Sequence, residues 1–219
     1  MRRVKVKICG ITRLEDLEAA CSLGADAVGF IVDVSESPRN LSPEVAEELI
    51  AKVPIFVKSV IVTALNDPNR IVNLYERLKP DVIQVHGGTP EDILALRKRL
   101  PKARLIGALP VKSGSEIEKA AVFASFLDAV LVDSYVAGRL GGTGVTHDWS
   151  ISARIREMLH PKPLILAGGL NPENIKEAVR IVKPYAVDVS TGVEAHPGLK
   201  DPEKIKAFIE EAKSVLIQD

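Results

Sequence analysis

Cys9 closes the run Val4-Lys5-Val6-Lys7-Ile8-Cys9 and is followed at once by Gly10. Side chains alternate along an extended strand, so Val4, Val6 and Ile8 form one apolar face and Lys5, Lys7 and Cys9 point the other way. A thiol serves as a base through its thiolate, and its ordinary pKa of about 8.5 must come down for that at neutral pH. Lys7, on the same face, carries a positive charge that favours the thiolate. A buried lysine needs a partner. Asp188, which shares a face with Ala186 and Ser190 in a later strand, is the natural one, either as a simple interior ion pair or as part of a device that tunes Cys9. Cys21 falls in a helical pattern with Leu17, Ala20 and Leu23 and reads as core.

A second reactive candidate ends the run Val130-Leu131-Val132-Asp133. A carboxyl at the top of an apolar strand is desolvated, which raises its pKa and suits it to donate a proton. Three glycine-bearing segments suit a phosphate: Gly141-Gly142-Thr143-Gly144, Gly168-Gly169-Leu170-Asn171 and Ser190-Thr191-Gly192. Glycines let backbone N–H groups converge on an anion, and a following helix adds its dipole. Arg39, in Ser35-Glu36-Ser37-Pro38-Arg39-Asn40, can grip a carboxylate through two parallel hydrogen bonds. His86 shares a face with Gln84 and can hydrogen-bond a ligand, as can Asp188. His147, His160 and His196 are scattered, and no metal-ligand spacing, dinucleotide fingerprint or Walker motif occurs.

What must position these groups is an alternation of short β-rich runs and amphipathic stretches. Strands are expected near 4–9, 27–32, 56–62, 82–86, 104–109, 128–133, 163–167 and 186–190. Helices are expected near 14–23, 43–52, 68–79, 90–100, 114–125, 149–159, 172–182 and 202–216. Ser42-Pro43, Asp67-Pro68, Thr89-Pro90 and Asn171-Pro172 each offer a cap followed by proline at the first helical position. Asp26-Ala27-Val28, Asp81-Val82-Ile83, Asp128-Ala129-Val130 and Tyr185-Ala186-Val187 recur about every 50 residues, two strand–helix units apart. Eight such units predict a parallel sheet with right-handed crossovers, closed into a single-domain (β/α)8 TIM barrel over 1–219. In such a barrel, chemistry gathers at the C-terminal ends of the strands. Cys9, Arg39, His86, Asp133, Gly168, Gly169 and Ser190 all fall there. A small substrate held between Cys9 and Asp133 would lose one proton and gain another.

The 219 residues are 46% hydrophobic, enough for one substantial core. Lysine plus arginine equal aspartate plus glutamate at 29 each, which argues against a nucleic-acid or polybasic membrane partner. No apolar run approaches the roughly 18 residues that span a bilayer, and the charged alternation after Met1 is no signal peptide. Two cysteines fit a reduced cytoplasm rather than a disulfide scaffold. No helix face carries an oversized apolar stripe, which favours a monomer slightly over a homodimer.

Lys7-Ile8-Cys9-Gly10-Ile11-Thr12, Gln84-Val85-His86-Gly87, Gly141-Gly142-Thr143-Gly144, Ala167-Gly168-Gly169-Leu170, Asp188-Val189-Ser190-Thr191-Gly192-Val193-Glu194 and Gly198-Leu199-Lys200-Asp201 together resemble the phosphoribosylanthranilate isomerase family over essentially the whole chain. The first and fifth runs are specific, whereas glycine pairs occur in many phosphate-binding barrels. The resemblance implies an Amadori rearrangement in tryptophan biosynthesis, with Cys9 as general base, Asp133 as general acid and no cofactor. It further implies that Arg39 holds the anthranilate carboxylate. Loops six to eight, with Gly142, Gly144, Gly168, Gly169, Ser190, Thr191 and Gly192, would hold the phosphate. This chain departs from the family's usual pattern in having His147 before Asp148-Trp149 and Thr191 in place of a common serine. Other phosphate-binding barrels of tryptophan or histidine biosynthesis, or a non-catalytic metabolite sensor, are the competing readings. They lack a use for a cysteine at the end of strand one.

Overall fold

A computed structural model describes residues 1–111, 115–134 and 146–218 of the chain. Eight parallel strands form the ring: β1 (Lys5–Cys9), β2 (Ala27–Val32), β3 (Lys58–Ala64), β4 (Val82–His86), β5 (Arg104–Val111), β6 (Ala129–Ser134), β7 (Leu164–Leu166) and β8 (Ala186–Val189). Each strand pairs with the next, and β1 pairs with both β2 and β8, so the sheet closes. Eight helices surround it: α1 (Leu14–Ser22), α2 (Pro43–Ile50), α3 (Pro68–Leu78), α4 (Pro90–Arg99), α5 (Glu116–Ala124), α6 (Trp149–Leu159), α7 (Ile175–Val182) and α8 (Pro202–Ser214). The (β/α)8 barrel expected from the alternation is the observed fold.

Two apolar layers follow from the period-two pattern. Val4, just before β1, and Val6 and Ile8 within it join Val28, Phe30, Ile83, Val130 and Val187 in the large cluster between sheet and helices. Ile106, Ala108, Ala129, Leu131, Ile165, Ala167 and Ala186 fill the interior of the ring on one side, and Cys9, Val60 and Val62 lie on the other. Lys7 also points inward, whereas Lys5, at the lower rim, reaches solvent and pairs with Asp26 at 2.9 Å.

The sequence repeat has a structural cause. Asp26 accepts from Val6 N and Lys5 Nζ, Asp81 from Ser59 N and Lys58 Nζ, and Asp128 from Leu105 N and Arg104 Nη1. In each case a carboxylate just before an even strand clamps the first two residues of the preceding odd strand. A charge-assisted bond to an edge N–H at the rim satisfies a donor that the parallel ladder leaves over. The fourth copy carries Tyr185 instead, whose backbone carbonyl accepts from Lys5 N.

Several boundaries differ from expectation by one to three residues, and three of them are instructive. The third strand is Lys58–Ala64 rather than 56–62, because Pro54 to Val57 form a turn, with Val57 N donating to Pro54 O. The seventh helix starts at Ile175 rather than 172. Asn171 Oδ1 accepts from the N–H groups of Glu173 and Asn174, closing a separate turn ahead of it. The last helix ends at Ser214. At Ser42, Asp67 and Thr89 the expected caps form, each side chain accepting a first-turn N–H.

Candidate active site

The strands deliver their C-terminal residues to one cavity of about 770 Å³ at the mouth of the barrel. Cys9, Arg39, His86, Asp133, Gly168, Gly169, Asp188, Ser190 and Thr191 all line it. Gly192 lies behind: a Cβ there would sit 1.9 Å from the Leu170 carbonyl oxygen, so it lets the loops after β7 and β8 pack together. Gly142 and Gly144 lie outside the described residues. The two reactive candidates stand three strands apart around the ring, β1 next to β8, then β7, then β6.

Cys9 is buried. Its sulfur occupies space that Gly29, its register partner on β2, leaves open, since a Cβ on Gly29 would lie 2.8 Å from Sγ. Lys7 and Asp188 form the expected interior pair, Nζ to Oδ2 at 2.8 Å, both side chains almost wholly buried. Burial works against the Lys7 charge, but Asp188 and Cys9 outweigh it and hold the ammonium above its usual range. The expectation of a depressed Cys9 thiol is corrected. Burial pushes it up, and although Lys7 and Lys200 pull it down, Asp188 adds to the rise. Desolvation of a thiolate in this pocket is larger than the gain from one already paired ammonium.

Asp133 behaves as its position predicts. Burial, reinforced by the Asp188 charge, raises it to about 6. Near neutrality such a carboxyl exists in both forms and can donate or accept a proton. Gly168, with φ of +86°, gives it room, since a Cβ there would lie 2.3 Å from Ser134 N and 2.7 Å from Asp133 Oδ1. His86 is held neutral, its pKa lowered to about 4 by burial and the Lys7 charge. One ring nitrogen, Nε2, is engaged by Gln84 Nε2 at 3.1 Å. Gln84 Oε1 and Asp188 Oδ1 are buried in the cavity wall and have no hydrogen-bond partner among the described residues. Buried acceptors left open cost free energy until something donates to them.

Arg39 is buried and already committed. Its Nε and Nη2 donate to Glu194 Oε1 and Oε2 at 2.8 and 2.6 Å. Glu194 also takes Lys200 Nζ at 2.9 Å. Neither Glu194 nor Lys200 was singled out by residue type or spacing. Their signal in the sequence was Gly198, whose φ of +82° lets a tight ribbon turn and brings the two into register. His147, the unusual residue before Asp148, bridges Ser134 Oγ at 3.0 Å and Ser152 Oγ at 2.5 Å, tying the end of β6 to α6.

A closed (β/α)8 barrel that brings a raised carboxyl and a buried thiol to one cavity at the C-terminal ends of its strands has the architecture of a barrel enzyme. The model of the N-(5'-phosphoribosyl)anthranilate isomerase family matches residues 6–211, and the chain belongs to that family. A relative from Methanothrix thermoacetophila, named N-(5'-phosphoribosyl)anthranilate isomerase, is 46% identical over 211 residues, 96% of this chain and 98% of that protein. A phosphoribosylanthranilate isomerase structure in complex with reduced 1-(o-carboxyphenylamino)-1-deoxyribulose 5-phosphate superposes with a TM-score of 0.83 at 38% identity, covering 97% of this chain and all of the other. A structure of monomers generated from the dimeric Thermotoga maritima enzyme gives the same score, identity and coverage.

Proposed function

We propose that this chain isomerises N-(5'-phosphoribosyl)anthranilate to 1-(2-carboxyphenylamino)-1-deoxyribulose 5-phosphate, a step of tryptophan biosynthesis, with Asp133 as general acid and Cys9 as general base. The observation that carries this reading is that Cys9 and Asp133 line one cavity in a chain of this family. Protonated Asp133 gives its proton to the ribose ring oxygen as the C1–O bond breaks, and the anilino lone pair closes to a C1=N iminium. Cys9 thiolate then takes the C2 proton, and the electrons of that C–H bond neutralise the iminium to give an enolamine. Tautomerisation returns a proton to C1 and leaves the C2 ketone.

The raised thiol fits this order. A cation forming beside Cys9 favours its thiolate, so the base is strengthened when the iminium exists. Gly168, Gly169, Ser190 and Thr191 are assigned the phosphate, on the strength of their place at the ends of β7 and β8. Arg39 takes the substrate carboxylate with the N–H donors that Glu194 leaves over, and His86 and Asp188 meet the sugar. The two free cysteines support a reduced compartment, the cytoplasm.

We also infer self-association. Ile55 and Phe56 stand 87% and 94% exposed at adjacent positions, and a relative is described as dimeric. Both observations weigh against the monomer that the helix faces favour.

The catalytic assignment is tested by following the fluorescence of the anthranilate conjugate. Cys9→Ala and Asp133→Asn are each expected to cut kcat by at least a hundredfold, in line with loss of a general acid or base. Turnover within threefold of the parent in either variant contradicts the assigned roles.

A further inference from the structure

The carboxylate subsite poses an electrostatic difficulty. Arg39 and Glu194 form a bidentate, buried pair, and a neutral pair has little attraction for an incoming anion. Glu194 itself would repel a carboxylate brought to the same guanidinium. The side chain that changes this balance is Lys200, wholly buried, with Nζ 2.9 Å from Glu194 Oε1.

Its position is fixed from several sides. The ribbon of Glu194–His196 and Leu199–Lys200 sets Glu194 and Lys200 opposite each other. Lys200 N donates to Asp16 Oδ2 at 2.9 Å, which ties the ribbon to α1, and Nζ also reaches the Ser190 carbonyl at 3.2 Å. Arg39, Glu194 and Lys200 are therefore held in one cluster of two basic side chains and one carboxylate; burial lowers Lys200, and Glu194 works to keep it charged. Burial works to raise the Glu194 carboxyl, but Arg39 and Lys200 outweigh it and keep it ionised.

We propose that Lys200 is a specificity-determining residue: by neutralising Glu194 it leaves Arg39 with one uncompensated positive charge, and this surplus selects a substrate bearing a ring carboxylate. The proposal rests on the reading of Arg39 as the carboxylate's partner and adds what makes that partner attractive.

Calorimetric titration with reduced 1-(o-carboxyphenylamino)-1-deoxyribulose 5-phosphate and with its counterpart lacking the carboxylate gives a ratio of dissociation constants that isolates the carboxylate. Lys200→Met, which leaves Glu194 paired with Arg39, is expected to shrink that ratio roughly tenfold or more. The double variant K200M/E194Q restores the surplus charge and is expected to recover most of it, which a merely structural role for Lys200 would not produce. A parent-like ratio in Lys200→Met, or no recovery in the double variant, overturns the proposal. Glu194→Gln alone should discriminate at least as well as the parent, and a tenfold fall there overturns it even should Lys200→Met not fold. Arg39→Met separates the two layers. If it leaves the ratio unchanged, the carboxylate does not sit at Arg39 and the underlying reading fails. If it abolishes discrimination while Lys200→Met does not, only the role of Lys200 fails.

Discussion

At the scale of single residues, the proposed acid and base titrate in an inverted order. Asp133 is raised to about 6, and the Cys9 thiol is pushed above its ordinary value, chiefly by burial. The active combination, protonated Asp133 with Cys9 thiolate, is then a minority species at every pH. Below about 6 its fraction grows with pH as thiolate forms; above that value the gain in thiolate is cancelled by loss of the acid, until Cys9 itself titrates. The profile of kcat/KM should therefore rise to a bend near pH 6, run level through neutrality and fall only on the alkaline side. A fall that begins near pH 6 contradicts the inverted order. Cys9, Asp133 and the Lys7–Asp188 pair were legible because the alternation along a strand says which residues face inward. The sign of the Cys9 shift was not, since it depends on how dry the pocket is. Gly29 and Glu194 were hidden for another reason. One matters as a gap opposite Cys9 across the register, and the other acts through Arg39, 155 positions away.

Elements were read best where capping chemistry and periodicity agree. Thr89-Pro90-Glu91-Asp92 gives both halves of a capping box, and α4 begins there. Asn171-Pro172 carries the same signature, yet Asn174 follows. The two asparagines bond each other's turn, and the helix is delayed to Ile175. Phe56-Val57 looked like the start of β3 because apolar residues run up to Lys58. In the fold Pro54 bends the chain, and Ile55 and Phe56 point into solvent. Two adjacent large apolar side chains left open on a turn are better explained by a partner surface than by the fold. In sedimentation equilibrium the parent chain should show a dimer mass, and Phe56→Ser a lower mass or a concentration-dependent mixture. A parent that stays monomeric at tens of micromolar contradicts the association.

For the molecule as a whole, barrel closure was legible from the count of eight units and the recurring Asp-apolar-apolar signature. The structure explains that recurrence as three carboxylate clamps on the lower rim, whose N-terminal face serves stability while the upper face is left to the site. A ring of this kind fixes where strand ends lie irrespective of loop sequence, which is why the alternation alone brings residues scattered from Cys9 to Ser190 to one mouth. The 155-residue reach from Arg39 to Glu194 was not assigned, because a side-chain cluster above the ring follows loop paths rather than strand period. Proton transfer at two ends of one pentose is decided most directly by a crystal structure of the chain with reduced 1-(o-carboxyphenylamino)-1-deoxyribulose 5-phosphate. The sulfur of Cys9 should lie within about 4 Å of the ligand's C2, and the Asp133 carboxyl within hydrogen-bonding reach of the oxygen that left the ring, roughly 3 Å. A ligand bound with either group turned away, or with both crowded onto the same end of the sugar, would contradict it.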